Sequence, residues 1–462
     1  MIAKIPRIMI AAAGSNSGKT TITCAILQAF MKKGLTPSAF KCGPDFIDPM
    51  FHTEVIGTKS RNLDLFLLPE DVCKYLLVKN ARESQIAVLE GVMGYYDGLG
   101  IGETTASSYH LAGVTKTPVI LVINCAGAAL SIAAQIQGFS NFRPNSRVKG
   151  VILNNLSPAL YPSYKSMIEH ETNIAVIGYF PKMSECSLES RHLGLITAAE
   201  VENLQHKLDL LADQALASVD LDQMMEIARE NEEIDYCDYP IENIAAVTLA
   251  VARDKAFCFY YQDSLELLEQ MGARIEYFSP LKDEMVPACD GIILGGGYPE
   301  IFAKELAENK TMLQQIRNLL DKETPCIAEC GGFMYLLDSI KDKDGNQCEM
   351  AGFLKGNATL TDRLHRFGYI TLTAQHDNLL CKKGESINAH EFHYSDSTLN
   401  GESFIAERPS GKAQWNCIHA NEHLAVGYPH MHLWGNTDFA RSFIEQCRKH
   451  KDMQLNEEYP IR

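Results

Sequence analysis

A join near the start of the chain constrains the fold more than any other feature. The apolar run Arg7-Ile-Met-Ile-Ala-Ala-Ala13 leads directly into Gly14-Ser-Asn-Ser-Gly18-Lys19-Thr20, and an apolar-periodic stretch follows. A buried strand that turns through a Gly/Ser loop into a helix aims consecutive backbone N–H groups and the helix dipole at one point. Glycine lets that backbone approach phosphate oxygens, a lysine in the loop neutralises the outer phosphates, and the hydroxyl after it can ligate Mg²⁺. Gly14, Ser15, Asn16, Ser17, Gly18, Lys19 and Thr20 are therefore the candidate nucleotide loop, with Lys19 expected to face solvent. The usual spacing has four residues between the glycines; here there are three, unless Ala13 takes the first position.

The pattern around this join is that of an α/β protein. Ile8 to Ala12 reads as a buried strand. Thr20 to Lys33 reads as a helix, with Ile22, Ala25, Ile26 and Ala29 on one face and Gly34 as its stop. Ile86–Glu90, Val119–Ile123, Gly150–Asn154 and Ile174–Ile177 are further apolar strands. Continuous apolar strands separated by helices predict a parallel sheet covered on both faces. Residues 1–196 form this first domain. Residues 197–243 read as a helical segment (Leu204 to Glu230) and an acidic linker ending at Pro240. A second α/β pattern occupies 244–450, with strands at Ile244–Arg253, Gly291–Leu294 and Pro325–Ala328 and a helix over Ser264–Gly272.

Composition narrows the partners. With 462 residues, two or three domains are expected. A formal net charge of −16 argues against a nucleic-acid partner. No apolar run is long enough to span a bilayer, and the N-terminal residues run straight into the loop, so neither membrane nor export is expected. Fourteen cysteines without a repeated C-x-x-C spacing point to a reducing, cytoplasmic setting.

Three polar clusters follow the loop: Lys41-Cys-Gly-Pro-Asp45-Phe-Ile-Asp48-Pro49, Arg61-Asn-Leu-Asp64, and Glu90-Gly-Val-Met-Gly-Tyr-Tyr-Asp97-Gly98. Each sits past a strand, and ligands of open α/β sheets bind at that edge. The carboxylates there can hold Mg²⁺ and a substrate, and Lys41 can bind phosphate.

Ala328-Glu-Cys330-Gly-Gly332 brings a different chemistry. A short strand, a turn at Cys330 flanked by small residues, and a helix starting at once make a nucleophile elbow. Its helix N-terminus favours thiolate. Cys326, inside the strand, reads as packing. The base is sought in Gly427-Tyr-Pro-His430-Met-His432-Leu-Trp434, whose two histidines share a face if the segment is extended. Gly295-Gly296-Gly297 can present N–H groups as an oxyanion hole. The His-x-His pair has no third clustered ligand that would make it a metal site.

Taken in order, GSNSGKT, KCGPDFIDP, RNLD, EGVMGYYDG, RHLGL (191–195), VARDKAFCFYY, GGGYPE, CGGFMYL and HEFHYS (390–395) resemble the cobyrinic acid a,c-diamide synthase family over nearly the whole chain. The N-terminal half is similar to dethiobiotin synthetase and the C-terminal half to class I glutamine amidotransferases, a flavodoxin-like α/β domain. The resemblance implies a carbon–nitrogen ligase that amidates a tetrapyrrole, a corrinoid, with ATP and glutamine as substrates and Mg²⁺ as cofactor. It implies Cys330 as glutaminase nucleophile, with His432 as its base and His430 as the alternative. The Pro-Glu that usually follows the histidine is replaced by Leu433-Trp434, so a Cys–His dyad without the customary acid is expected. It further implies Thr20, Asp64 and Glu90 as Mg²⁺ ligands, Lys41 on phosphate, Asn154 at the adenine, and Asp45 and Asp48 positioning the reacting carboxylate. Ni-sirohydrochlorin a,c-diamide synthase shares these motifs, and cobyric acid synthase has the same halves. A P-loop switch or partition ATPase would leave Cys330 without a role.

Overall fold

The computed structural model describes residues 1–186, 198–341, 345–361 and 366–458; the RHLGL motif lies outside them. The chain divides into two compact units, Met1–Tyr239 and Pro240–Arg462.

In the first unit the expected parallel sheet is present, with seven strands. They are β1 (Arg7–Ala12), β2 (Pro37–Cys42), β3 (Lys59–Leu63), β4 (Ile86–Glu90), β5 (Val119–Asn124), β6 (Val148–Asn154) and β7 (Ala175–Phe180), in the order β3-β2-β4-β1-β5-β6-β7. Every pairing is parallel. All residues of β1, β2 and β4 are buried, as expected for strands covered on both faces. The loop after β1 opens α1 (Lys19–Lys32). β1 lies between β4 and β5, so this loop emerges at the sheet's centre, and the ends of β2 and β4 come beside it.

The helical part of 197–243 is built into this unit. Helix α2 (Ala198–Ser218) packs on α1, and α3 (Leu221–Arg229) follows after a break. Asp220 makes the break: its N–H donates to the Ile177 carbonyl, and its side chain caps α3 by accepting from the Gln223 N–H at 2.9 Å. Leu208, Leu211, Ala212, Ala215, Met224 and Ala228 join the same apolar core as Ile8, Ile26 and Phe30.

The second unit has a sheet of six strands. In chain order they are β8 (Val247–Ala252), β9 (Ala273–Phe278), β10 (Gly291–Leu294), β11 (Cys326–Glu329), β16 (His419–Ala420) and β17 (Leu424–Gly427). Their spatial order is β9-β8-β10-β11-β17-β16, with only the last pairing antiparallel. The unit also carries an antiparallel five-stranded sheet that the sequence did not announce. It comprises β12 (Arg366–Ala374), β13 (Ser386–His393), β14 (Phe404–Glu407), β15 (Gln414–Cys417) and β18 (His430–Met431), ordered β15-β14-β12-β13-β18. The chain therefore leaves the first sheet at Gly427 and joins the second at His430.

Candidate functional sites

Gly18 is the N-cap of α1, in the left-handed region at φ +93°. A Cβ there would be strained and would stand 2.4 Å from Asn154 Nδ2. Asn154, at the end of β6, donates to the Ser17 carbonyl at 3.0 Å, so it braces the loop from behind. Ser17 Oγ donates to the Gly14 carbonyl at 2.9 Å. Lys19 is buried rather than solvent-facing, because its ammonium folds back on the loop. It donates to the carbonyls of Gly14 at 2.9 Å and Met93 at 2.6 Å. Those donors are available to a phosphate oxygen in exchange. Burial and the nearby Lys41 hold the Lys19 ammonium below its ordinary pKa.

The register Lys41↔Glu90 between β2 and β4 joins two of the clusters. Lys41 Nζ lies 2.8 Å from Glu90 Oε1, bonds to Asp48 Oδ2, and is 3.8 Å from Asp45 Oδ2. Thr20 Oγ1 donates to the same Glu90 oxygen at 2.6 Å. His52, which sequence reasoning passed over, places Nε2 at 3.6 Å from Glu90 Oε2.

One lysine thus serves three carboxylates in a buried site, and their proton affinities diverge. Burial pushes Glu90 up to about 7. Burial and then the Asp48 charge push Asp45 up to about 6. Burial would raise Asp48 too, but the contact with Lys41 prevails and holds it low. Burial alone would lower Lys41; Glu90, Asp48 and Asp45 together keep it well above its ordinary value. Burial drives His52 down to about 4, hence neutral.

The donors of Thr20 and Glu90 suit a hard cation. Both are oxygens, and Glu90 Oε2 has no hydrogen-bond donor against it. Among the described residues no three His, Cys, Asp or Glu side chains converge as a metal cage. That suits Mg²⁺, which takes one or two protein ligands together with phosphates and waters. Asp64 follows β3, two strands from β4 in the sheet. Its Oδ1 caps a turn by accepting from the N–H groups of Phe66 and Leu67 at 2.8 and 3.0 Å.

Beside the loop a cleft of ≈ 560 Å³ opens past Met93, lined by Tyr96, Ile101 and Phe142 with Asp97 and Arg143. Met93, Ile101 and Phe142 are exposed, and the Arg143 guanidinium lies 4.4 Å over the Phe142 ring. The lining thus combines large apolar side chains with two carboxylates, Asp97 and Glu103, and one cation.

In the second unit the elbow takes the expected form. β11 ends at Glu329, Cys330 has φ +48° and ψ −100°, and α4 (Gly331–Leu336) begins at once. Positive φ in a non-glycine residue is strained and held by its surroundings. The Cys330 N–H donates to the Gly427 carbonyl at 2.7 Å. The turn lies against the Gly295–Gly297 loop: a Cβ on Gly331 would stand 3.1 Å from Gly297 N, and one on Gly332 2.0 Å from the Leu294 carbonyl oxygen. Burial, then Glu300, Glu329 and Glu391, push the Cys330 thiol up. The expected helix-dipole lowering is outweighed, because α4 is six residues long and the surroundings are apolar and acidic.

The two histidines have different immediate neighbours. His430, on β18, lies against the Gly295–Gly297 loop, its Cε1 2.5 Å from where a Cβ of Gly296 would be. Its Nδ1 is 3.6 Å from Glu329 Oε2. His390, opposite it across the β13–β18 pairing, stacks on its ring at 4.9 Å between centroids and 14°. His432 stacks on Tyr261, whose hydroxyl is 2.8 Å from His390 Nε2, and its Nδ1 is 3.4 Å from Ser264 Oγ. Burial pushes it down to about 3. HEFHYS supplies further walls: His393 stacks on Tyr428 at 3.9 Å, and Tyr428 packs edge-on to Phe333 of α4. Glu329 went unnoticed as a functional residue; its one signal was a carboxylate closing the otherwise apolar strand Pro325-Cys-Ile-Ala328.

Comparison with known proteins agrees with both halves. Residues 8–196 match the family described as CobQ/CobB/MinD/ParA nucleotide binding domain, and residues 248–437 the CobB/CobQ-like glutamine amidotransferase domain. The chain is 39% identical to the cobyrinate a,c-diamide synthase of Clostridium tetani, over 95% of this chain and 99% of that protein. The enzyme of the same name from Caldanaerobacter subterraneus is 39% identical over 95% of this chain and 98% of its own length. That of Fusobacterium nucleatum is 40% identical over 93% and 98%. No described helix is long and apolar enough to cross a membrane.

Proposed function

The chain belongs to the cobyrinate a,c-diamide synthase family, and from that premise we propose that it converts the a and c carboxylates of cobyrinic acid to amides, spending ATP and drawing nitrogen from glutamine. One observation carries the reading. A single chain holds a phosphate site, where Lys19, Thr20, Lys41 and Glu90 meet, and a strained thiol elbow against a glycine loop. A switch or partition ATPase needs only the first.

A carboxylate is too poor an electrophile for ammonia. Its oxygen therefore attacks the γ-phosphorus of ATP, ADP leaves, and an acyl phosphate forms; ammonia then displaces phosphate and an amide results. Lys19 and Lys41 neutralise the charge on the phosphoryl oxygens, the loop N–H groups hold the phosphates, and Asn154 keeps the loop in shape. Asp45 and Asp48 orient the substrate about Lys41. Thr20, Glu90 and Asp64 would hold Mg²⁺, which supplies further charge neutralisation when bound. The cleft past Met93 suits the apolar face of a tetrapyrrole, with Arg143 for a rim carboxylate.

Cys330 attacks the glutamine amide carbon, with the oxyanion facing the N–H groups of Gly296 and Gly297. The base takes the thiol proton and returns it to the departing ammonia, and water hydrolyses the thioester to glutamate. Position favours His430 over His432 as that base, since His430 lies against the glycine loop. All fourteen cysteines are free thiols, which supports a reducing, cytoplasmic setting.

The test is incubation of the full chain with ATP, Mg²⁺ and glutamine and either cobyrinic acid or Ni-sirohydrochlorin, followed by mass spectrometry. Two successive replacements of OH by NH₂ on cobyrinic acid are expected. Amides formed only on Ni-sirohydrochlorin, or on neither, would overturn the assignment.

A further inference from the structure

We propose that Glu329, the residue immediately before the nucleophile, is the carboxylate partner of His430 and completes the glutaminase site. The inference rests on the reading of Cys330 as glutaminase nucleophile. In this chain the segment after the histidines cannot supply an acid. Leu433 and Trp434 follow instead, both buried, with the Leu433 N–H donating to Ser264 Oγ and the Trp434 indole N–H to the Asp263 carbonyl at 3.0 Å.

The carboxylate arrives from the opposite side. Strands β11 and β17 pair in parallel with Glu329 opposite Gly427, three residues before His430. That register carries the end of β11 to the turn leading into β18. Glu329 Oε1 accepts the Met431 N–H at 3.0 Å, which fixes the backbone beside the imidazole, and Oε2 stands 3.6 Å from His430 Nδ1. His390 covers one ring face, and the Gly296 loop meets the Cε1 edge.

The chemistry follows from which nitrogen faces the carboxylate. A proton on Nδ1 directed at Glu329 leaves the lone pair on Nε2. When the thiol of Cys330 gives up its proton to Nε2, the positive charge that forms on the ring faces the Glu329 carboxylate. This matters more here than in an exposed dyad, because burial opposes thiolate formation at Cys330. The other charged groups bearing on the thiol, Glu300 and Glu391, are also acidic and cannot assist it. Glu329 is thus a positioning residue with two oxygens in two roles, one for the strand and one for the ring.

Glu329→Gln separates those roles. It keeps an acceptor for the Met431 N–H and removes the charge. With the full chain, glutamine hydrolysis by Glu329→Gln should fall roughly a hundredfold in kcat with KM for glutamine held. The acid limb of its pH profile should move to lower pH, since loss of a nearby anion makes the protonated site easier to deprotonate. Glu329→Asp should recover part of the rate. Amide synthesis from ammonium chloride needs neither Cys330 nor Glu329 and reports the fold. Parental kcat with an unmoved acid limb would overturn the proposal, and so would an equal loss with ammonium chloride, which would make the role structural. Cys330→Ala is measured alongside. If that variant still hydrolyses glutamine, the glutaminase reading has failed rather than the placement of Glu329 within it.

Discussion

Around Glu90, lysines and carboxylates from four segments are buried together, while the charged groups bearing on Cys330 are all acidic, Glu300, Glu329 and Glu391, and the tension lies in the backbone. The difference follows from what each site handles. The first must neutralise phosphate oxygens, so it keeps Lys19 and Lys41 inside the protein and balances them with Glu90, Asp48 and Asp45. The second must expose one sulfur to an uncharged amide. It does this with a residue at φ +48° that closely packed glycines and the Gly427 carbonyl hold in place. Electrostatics can be deleted one charge at a time; a strained turn is lost as a whole.

The two lysines break that comparison most sharply. Lys19→Ala should abolish amide formation from either nitrogen donor, a loss of roughly 10²–10³-fold or more, with the fold kept, because its ammonium rests on carbonyls. Lys41→Met should lose as much activity and also stability, about 3–5 kcal/mol, because it strips the counter-ion from buried Glu90 and Asp48. Rates and urea midpoints of both variants are the measurement. Equal stability for the two would show that Lys41 does not carry the charge balance.

Next in size is the uncoupling of the units. Cys330→Ala should lose synthesis from glutamine and retain synthesis from ammonium salts, which rises with pH as free NH₃ increases. His430→Ala should behave alike, and His432→Ala should keep more glutamine activity, since His430 is the ring against the Gly296 backbone while His432 contacts Tyr261 and Ser264. The reverse ranking of the two histidines would return the base to His432.

How much of this was legible in the sequence depends on how local each feature is. The nucleotide loop and the elbow are strand–turn–helix units, so their residues appear consecutively and their roles can be read. The pairing of Lys41 with Glu90 is set by strand register across 49 positions, and only the proximity of both to strand ends hinted at it. Asp64 shows the limit of such a reading, because a carboxylate just past a strand can cap its own turn as well as hold a metal, and sequence does not separate the two. The antiparallel sheet of β12, β13, β14, β15 and β18 was missed, and with it the placing of His390 opposite His430. Glu329 stayed hidden because its partner lies about a hundred residues away.

A smaller effect tests the metal side of the charged site. Glu90→Gln keeps the shape and the Thr20 contact but halves the site's appetite for a cation. The Mg²⁺ concentration for half-maximal synthesis should rise roughly ten- to a hundredfold. An unchanged Mg²⁺ titration would assign Glu90 to Lys41 alone.

The mildest perturbation is acid, and here the two units should respond in opposite senses. His432 is neutral when folded, with its pKa driven to about 3 by burial, and His390 is lowered by burial and by His430. A depressed histidine contributes stability in full above its unfolded value of about 6.5 and loses it as pH falls toward the folded value. At pH 5, His432 alone should cost the second unit about 2 kcal/mol. In the first unit His52, at about 4, acts in the same direction. Glu90 and Asp45, raised to about 7 and about 6, act against it. Their contribution is complete below the unfolded values and fades as pH rises through 6 and 7, so lowering the pH from 7 to 5 favours the fold around them. The second unit should therefore loosen first. Both tryptophans of the chain, Trp415 and Trp434, lie in it, so fluorescence reports that unit, and hydrogen exchange read by mass spectrometry follows peptides of both. Peptides from β1 to β7 that lost protection at a higher pH than those from β8 to β18 would contradict the contrast between the raised carboxylates buried in the first unit and the lowered imidazoles buried in the second.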